Sequence, residues 1–175
     1  MEKGWLEEII KQTQLEKVKE TNQYMEQFGL RLSDEDAALL VKDRMDSLKQ
    51  QQRVEFGEGI LTKIIYTFCD SDYLNQDNYV DTLGRLLDIF FLYKNEMNDE
   101  ITDDELLTFM KEQFETVCFG DADYLEETCL AVFAEAIRAG YQGYQETGGK
   151  GNFRKMDIVT RWDRNLFLEA LKELF

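Results

Sequence analysis

The sequence predicts an all-α fold, a single-domain bundle of six to seven helices with orthogonal or mixed packing that spans residues 1–175. Three observations predict it. Apolar residues recur at spacings of three and four from one end of the chain to the other, the period of a helix with one buried face. Capping residues and glycines stand between these stretches, at places where helices start and stop. The 175 residues, 43% of them hydrophobic with 12 Phe and 8 Tyr, fill one core well and are few for two, since a domain usually takes ~100–150 residues.

The first helical stretch covers about Trp5 to Gln27, with Trp5, Ile9, Leu15, Val18, Tyr24, Met25 and Phe28 as apolar positions, a bend near Thr21 and Asn22, and Gly29 as its stop. Ser33 caps the next helix, because Leu32-Ser33-Asp34-Glu35-Asp36 sets a side-chain acceptor ahead of acids that suit the positive end of the helix dipole. Its buried stripe is Ala37, Leu40, Val41, Met45 and Leu48, and it dissolves in Lys49 to Arg53. Arg53 to Gly57 is a candidate extended piece, and a third helix follows from about Glu58 to Cys69. After the polar turn Asp70 to Asp77, the segment Tyr79 to Met97 is the most hydrophobic helix and the expected centre of the bundle. Gly84 inside it reads as a close helix crossing, since an interior glycine costs ~1 kcal/mol against alanine unless it permits packing. Thr102-Asp103-Asp104-Glu105 is a capping box that opens a helix ending at Gly120. Asp121 or Asp123 caps another that runs to Gly140, a flexible glycine-rich loop occupies about 140–152, and Thr160 or Asp163 opens a terminal helix.

Two absences restrict the chemistry. Proline is missing, so every break between helices is made by glycine, by a cap or by charge. Histidine is missing too, which excludes Ser-His-Asp and Cys-His catalysis and a His-ligated zinc site. Cys69, Cys118 and Cys129 show no CxxC spacing, and each falls among apolar residues of an expected helix. They read as small buried hydrophobes in a reducing compartment. Acids interrupt the apolar residues of the first eight positions, unlike a signal peptide, and the longest apolar run, Ile89 to Tyr93, is far below the ~18 residues of a membrane span. A cytoplasmic protein with no cofactor and no membrane association is expected.

Charge is the sharpest anomaly. Glu96 to Glu127 holds twelve Asp or Glu and a single base, Lys111, in a chain of net charge −16. Asp99, Glu100, Asp103, Asp104 and Glu105 stand before and at the start of one helix, with Glu112 and Glu115 further along it. Asp121, Asp123, Glu126 and Glu127 belong to the next. Three readings compete: a solvated face of two amphipathic helices, a face for a basic partner protein, and a divalent-cation site. As an EF-hand loop, Lys94 to Glu105 would place a cation, Lys94, at the first ligand and Asp99 where the sharp turn wants glycine. Asp70 to Asp81 fails similarly at Leu74 and Asn75. The loop from Gly140 to Gly151 lacks the glycine and the Ser or Thr of a phosphate loop, at Tyr144 and Gly151, and no strand precedes it. Directly after it Lys150, Arg154, Lys155, Arg161 and Arg164 reverse the charge, over too short a segment of too acidic a chain for nucleic-acid binding.

Arg53 to Gly59 (RVEFGEG), Phe68 to Tyr79 (FCDSDYLNQDNY) and Lys94 to Met110 (KNEMNDEITDDELLTFM), with the LSDEDA start at Leu32, resemble a domain-of-unknown-function family of small Gram-positive bacterial proteins. The similarity covers roughly Gly29 to Leu130. It implies a bacterial cytoplasmic setting and carries no activity, cofactor or catalytic residue. The charge asymmetry, not the resemblance, motivates the function expected: a non-enzymatic interaction protein that meets a basic partner through its acidic helices around Thr102 to Glu127. The alternative is a carboxylate-dependent, metal-assisted enzyme whose site forms between helices. Oligomeric state is open.

Overall fold

In the computed structural model of the chain, residues 2–55 and 59–138 are described, and all the regular structure among them is helical. Six helices reach eight residues or more: α1 (Glu2–Glu20), α3 (Asp34–Gln50), α4 (Ile60–Phe68), α5 (Tyr79–Glu96), α6 (Asp103–Thr116) and α8 (Ala131–Arg138). Shorter pieces stand between them: α2 (Asn22–Met25) continues into a 3-10 turn, Glu26–Phe28, and α7 (Ala122–Tyr124) passes through a π-helical stretch, Leu125–Leu130, into α8. The all-α class is thus the one expected. The chain divides into two compact units, with the boundary between Phe91 and Leu92 inside α5. The glycine-rich loop at about 140–152, the terminal helix from Thr160 or Asp163 and the basic residues from Lys150 to Arg164 lie outside the described residues, as do 56–58.

In the first unit, local signals set the helix ends. Thr21 interrupts the first helical stretch at the expected bend, and its hydroxyl donates to the Val18 carbonyl. Gly29 then stops the chain in the left-handed region at φ 72°. Its N–H donates to the Glu26 carbonyl and that of Leu30 to Met25, the paired bonds of a Schellman motif. The same pair recurs after α3, where Gln52 at φ 56° donates to Lys49 and Arg53 donates to Leu48. Ser33 and Asp36 form a full capping box at the start of α3. The strap between α2 and α3 is held on both edges by side-chain amides. Asn22 bonds both backbone groups of Leu32, and Gln76 bonds both of Arg31.

The core of this unit is Val18, Met25, Leu40, Val41, Ile64, Ile65, Phe68, Tyr79 and their neighbours. Tyr79 buries its hydroxyl against the Met25 sulfur. Gly84 is the close crossing expected of it, because the Asp43 carboxylate of α3 lies 2.8 Å from where a side chain would begin. Three expectations change. Trp5 and Ile9 are exposed (69% and 42%) and not core, since burial on α1 begins only at Gln14 and Val18. Met45 is half-buried, and Arg44 beside it is the buried residue. Its Nε donates to Glu55 Oε1 at 2.6 Å, while Glu55 Oε2 accepts from the N–H of Ile60 and so caps α4. Arg53 to Glu55, where an extended piece was a candidate, carries no regular structure.

The second unit runs from the last turn of α5. Asn98, left-handed at φ 53°, ends that helix with a third Schellman pair: Asn98 donates to Asn95 and Asp99 to Lys94. Thr102 and Glu105 form the expected capping box of α6. That helix stops at Thr116, earlier than the Gly120 expected, and a turn through left-handed Phe119 and Gly120 leads to Asp121. Asp121, not Asp123, is the cap of α7: its carboxylate accepts from the N–H groups of Asp123 and Tyr124. Leu106, Met110, Phe114, Leu125 and Leu130 are buried, and Phe109 of α6 stacks on Phe133 of α8 with ring centroids 3.9 Å apart.

Candidate functional site

The last turn of α5 organises the acidic stretch. Two neighbouring residues there, Tyr93 and Lys94, are buried although each carries a polar tip. The Lys94 ammonium donates to the Ile101 carbonyl at 2.7 Å and pairs with Asp103 Oδ1 at 2.9 Å and Asp99 Oδ1 at 3.5 Å. The segment that failed as an EF-hand because a lysine held its first position is therefore a loop closed on its own cation. Where a calcium loop gathers oxygens around a metal, this one gathers a carbonyl and two carboxylates around an ammonium.

Tyr93 holds the other side. Its hydroxyl donates to the Glu126 carbonyl at 2.5 Å, which pins the π-helical stretch to α5. Burial pushes the Tyr93 hydroxyl above its ordinary pKa, and the negative charges of Glu126 and Glu96 push it the same way. Arg138 at the end of α8 reaches back to Glu96, donating to its Oε2 at 2.7 Å and to its carbonyl at 3.2 Å. Lys94 and Arg138 thus set two cations at the C-terminal end of α5, where the helix dipole is negative and acids alone would be repelled.

The eleven acids of the sequence reading sort by what they touch. Asp99 and Asp103 hold Lys94. Glu105 is buried, not on a face: Oε1 accepts from the Thr102 N–H, and Oε2 has no hydrogen-bond partner. Asp121 caps α7. Glu112 and Glu115 are half-buried along α6, with Glu115 paired to Lys111 at 3.5 Å and the Glu112 carboxyl raised in pKa by burial. Glu126 is half-buried beside Tyr93, while Glu100, Asp104, Asp123 and Glu127 are exposed. The structure therefore brings Glu96, Asp99, Asp103, Glu126 and Glu127 around the end of α5, from three successive elements. Glu112 and Glu115 belong elsewhere.

Sequence reasoning missed the organisers, Tyr93, Lys94 and Arg138. Lys94 left one trace, as the wrong charge in an otherwise acidic loop; Tyr93 and Arg138 left none, since their partners lie 33 and 42 residues away. Among the described residues, no group of three or more Cys, Asp or Glu is placed to hold a metal ion. No helix among them is long and apolar enough to cross a membrane. A depression of about 300 Å³ lies in the first unit against Asn22, Gly29 and Arg31, with one carboxylate, Glu26, on its wall.

These features define a class: an all-helical protein whose acidic corner is tied together by an internal lysine and a buried tyrosine. The chain belongs to a family of unknown function, DUF6323, whose model matches residues 17–143. No curated protein and no solved structure matches it.

Proposed function

We propose that this protein is a non-enzymatic interaction protein that binds a basic partner protein through the acidic corner at the end of α5. The observation that supports the reading is the imbalance of charge there. From Leu92 to Arg138 there are thirteen acids and three bases, and all three bases are engaged with carboxylates of the same unit. A field of one sign steers a partner of the other sign and repels like-charged competitors. Glu100, Asp104, Asp123 and Glu127 are exposed, which leaves their carboxylates open to a lysine- or arginine-rich surface.

The test compares two variants of equal charge. Glu100→Lys with Glu127→Lys alters the corner, whereas Glu7→Lys with Glu8→Lys makes the same change on exposed positions of α1. Capture of basic proteins at low salt is expected to survive the α1 change and to be lost with the corner change. Equal losses in both would reduce the effect to net charge and remove the proposed face.

A further inference from the structure

We infer that Cys118 and Cys129 form a redox-active dithiol that closes into an intramolecular disulfide by exchange with a low-molecular-weight disulfide. As sequence the two look unrelated, eleven residues apart with no CxxC motif. In the folded chain their sulfurs are 3.6 Å apart, in contact with one another, while Cys69 is buried elsewhere and donates to the Tyr66 carbonyl. A disulfide needs ~2.05 Å between sulfurs, so closure asks for an approach of about 1.5 Å. The backbone on both sides is irregular. Cys118 lies in the turn that follows α6, next to left-handed Phe119 and Gly120, and Cys129 lies in the π-helical stretch, an element found disproportionately at functional positions.

Exposure orders the steps. Cys118 is buried and Cys129 partly accessible, so Cys129 meets the oxidant first. Its thiolate attacks one sulfur of the small disulfide RSSR; that S–S bond breaks, one RS⁻ leaves and takes up a proton, and a mixed disulfide remains on Cys129. Cys118 then gives up its proton and attacks the Cys129 sulfur, and the second RS⁻ leaves. The sum is protein dithiol plus RSSR to protein disulfide plus two RSH, with two electrons passed to RSSR. The hydrogen bond to Cys129, and after it burial, raises the Cys118 thiol above its ordinary pKa. The second step therefore quickens as pH rises.

The test incubates the full chain in glutathione buffers from fully reduced to fully oxidised, blocks remaining thiols with an alkylating agent and measures intact mass. No Lys or Arg lies between Lys111 and Arg138, so trypsin leaves both cysteines in one peptide, and cleavage at acidic residues such as Asp121 and Glu127 is needed to separate them. Expected is a chain lighter by two hydrogens, with a Cys118–Cys129 cross-linked peptide, Cys69 alkylated, and reversal by a dithiol reductant. Cys118→Ser should stop at a stable glutathione adduct on Cys129. Absence of the cross-link in the native chain, a lasting adduct on native Cys129, or pairing through Cys69 would overturn the inference, whatever the folding of the variant.

Discussion

Lys94 and Asp43 show how one side chain's surroundings decide its effect. Lys94 closes the turn from α5 to α6 by satisfying the Ile101 carbonyl and neutralising Asp99 and Asp103. In Lys94→Met the carbonyl loses its donor and the two acids face the negative end of α5, so stability should fall by ~1–3 kcal/mol. Urea denaturation checks this against Lys111→Met, whose i,i+4 pair with Glu115 should be worth ~0.3–0.5 kcal/mol. Asp43 sits over Gly84, and burial raises its carboxyl above the ordinary 3.8, helped by Asp46 and Asp81 and opposed by Lys42. In that window the folded chain binds more protons than the unfolded one, so Asp43 lowers stability as pH rises from 3.8 through its folded value. Stability measured against pH should therefore show Asp43→Asn gaining on the native chain across the window and holding a constant lead above it. A lead that shrinks with pH would contradict the assignment. Neither role was legible as sequence: the turn that closes on Lys94 and the crossing at Gly84 that covers Asp43 exist only in the folded chain, although Lys42 and Asp46 stand beside Asp43 on its own helix.

Helix ends were the most legible elements, because their signals are local. Ser33, Thr102 and Gly29 stop or start helices through bonds to residues three to five positions away, all within reach of a short reading. Gly84 was legible for a different reason, since glycine inside a strongly apolar helix is costly without a close crossing. The ends before Gln52 and Asn98 fell close to where they were expected, but the left-handed turns that make them were not legible, because neither residue announces one as glycine does. The Schellman bonds hold Gln52 at φ 56° against its preference, and its side chain is exposed. Gln52→Gly should consequently raise stability by ~0.5–1 kcal/mol in urea denaturation, with less gain from Asn98→Gly because asparagine tolerates the region better. A loss at Gln52 would mean that its side chain contributes to packing. The π-helical stretch had no local signal at all. Its apolar spacing reads as an ordinary helix, and the same spacing marks Trp5 and Ile9 as a buried face without saying whether anything covers them.

At the scale of the molecule, apolar spacing and caps told the class of fold and composition the sign of the charge, but neither told how the charge is used. Of the acids between Glu96 and Glu127, Asp99, Asp103, Glu105 and Asp121 serve the structure itself, through Lys94, the α6 capping box and the α7 cap. Reversing Asp103 or Glu105 would damage the fold and say little about a partner. Exposed positions such as Glu100 and Glu127 can carry the question without that cost. The most direct measurement is therefore partner capture at low salt by the Glu100→Lys/Glu127→Lys chain, alongside its urea midpoint and the Glu7→Lys/Glu8→Lys control. Expected is a folded chain of near-native stability that no longer retains the basic proteins held by the native chain and the control. Recovery of the same proteins by all three would contradict the acidic corner as a binding face.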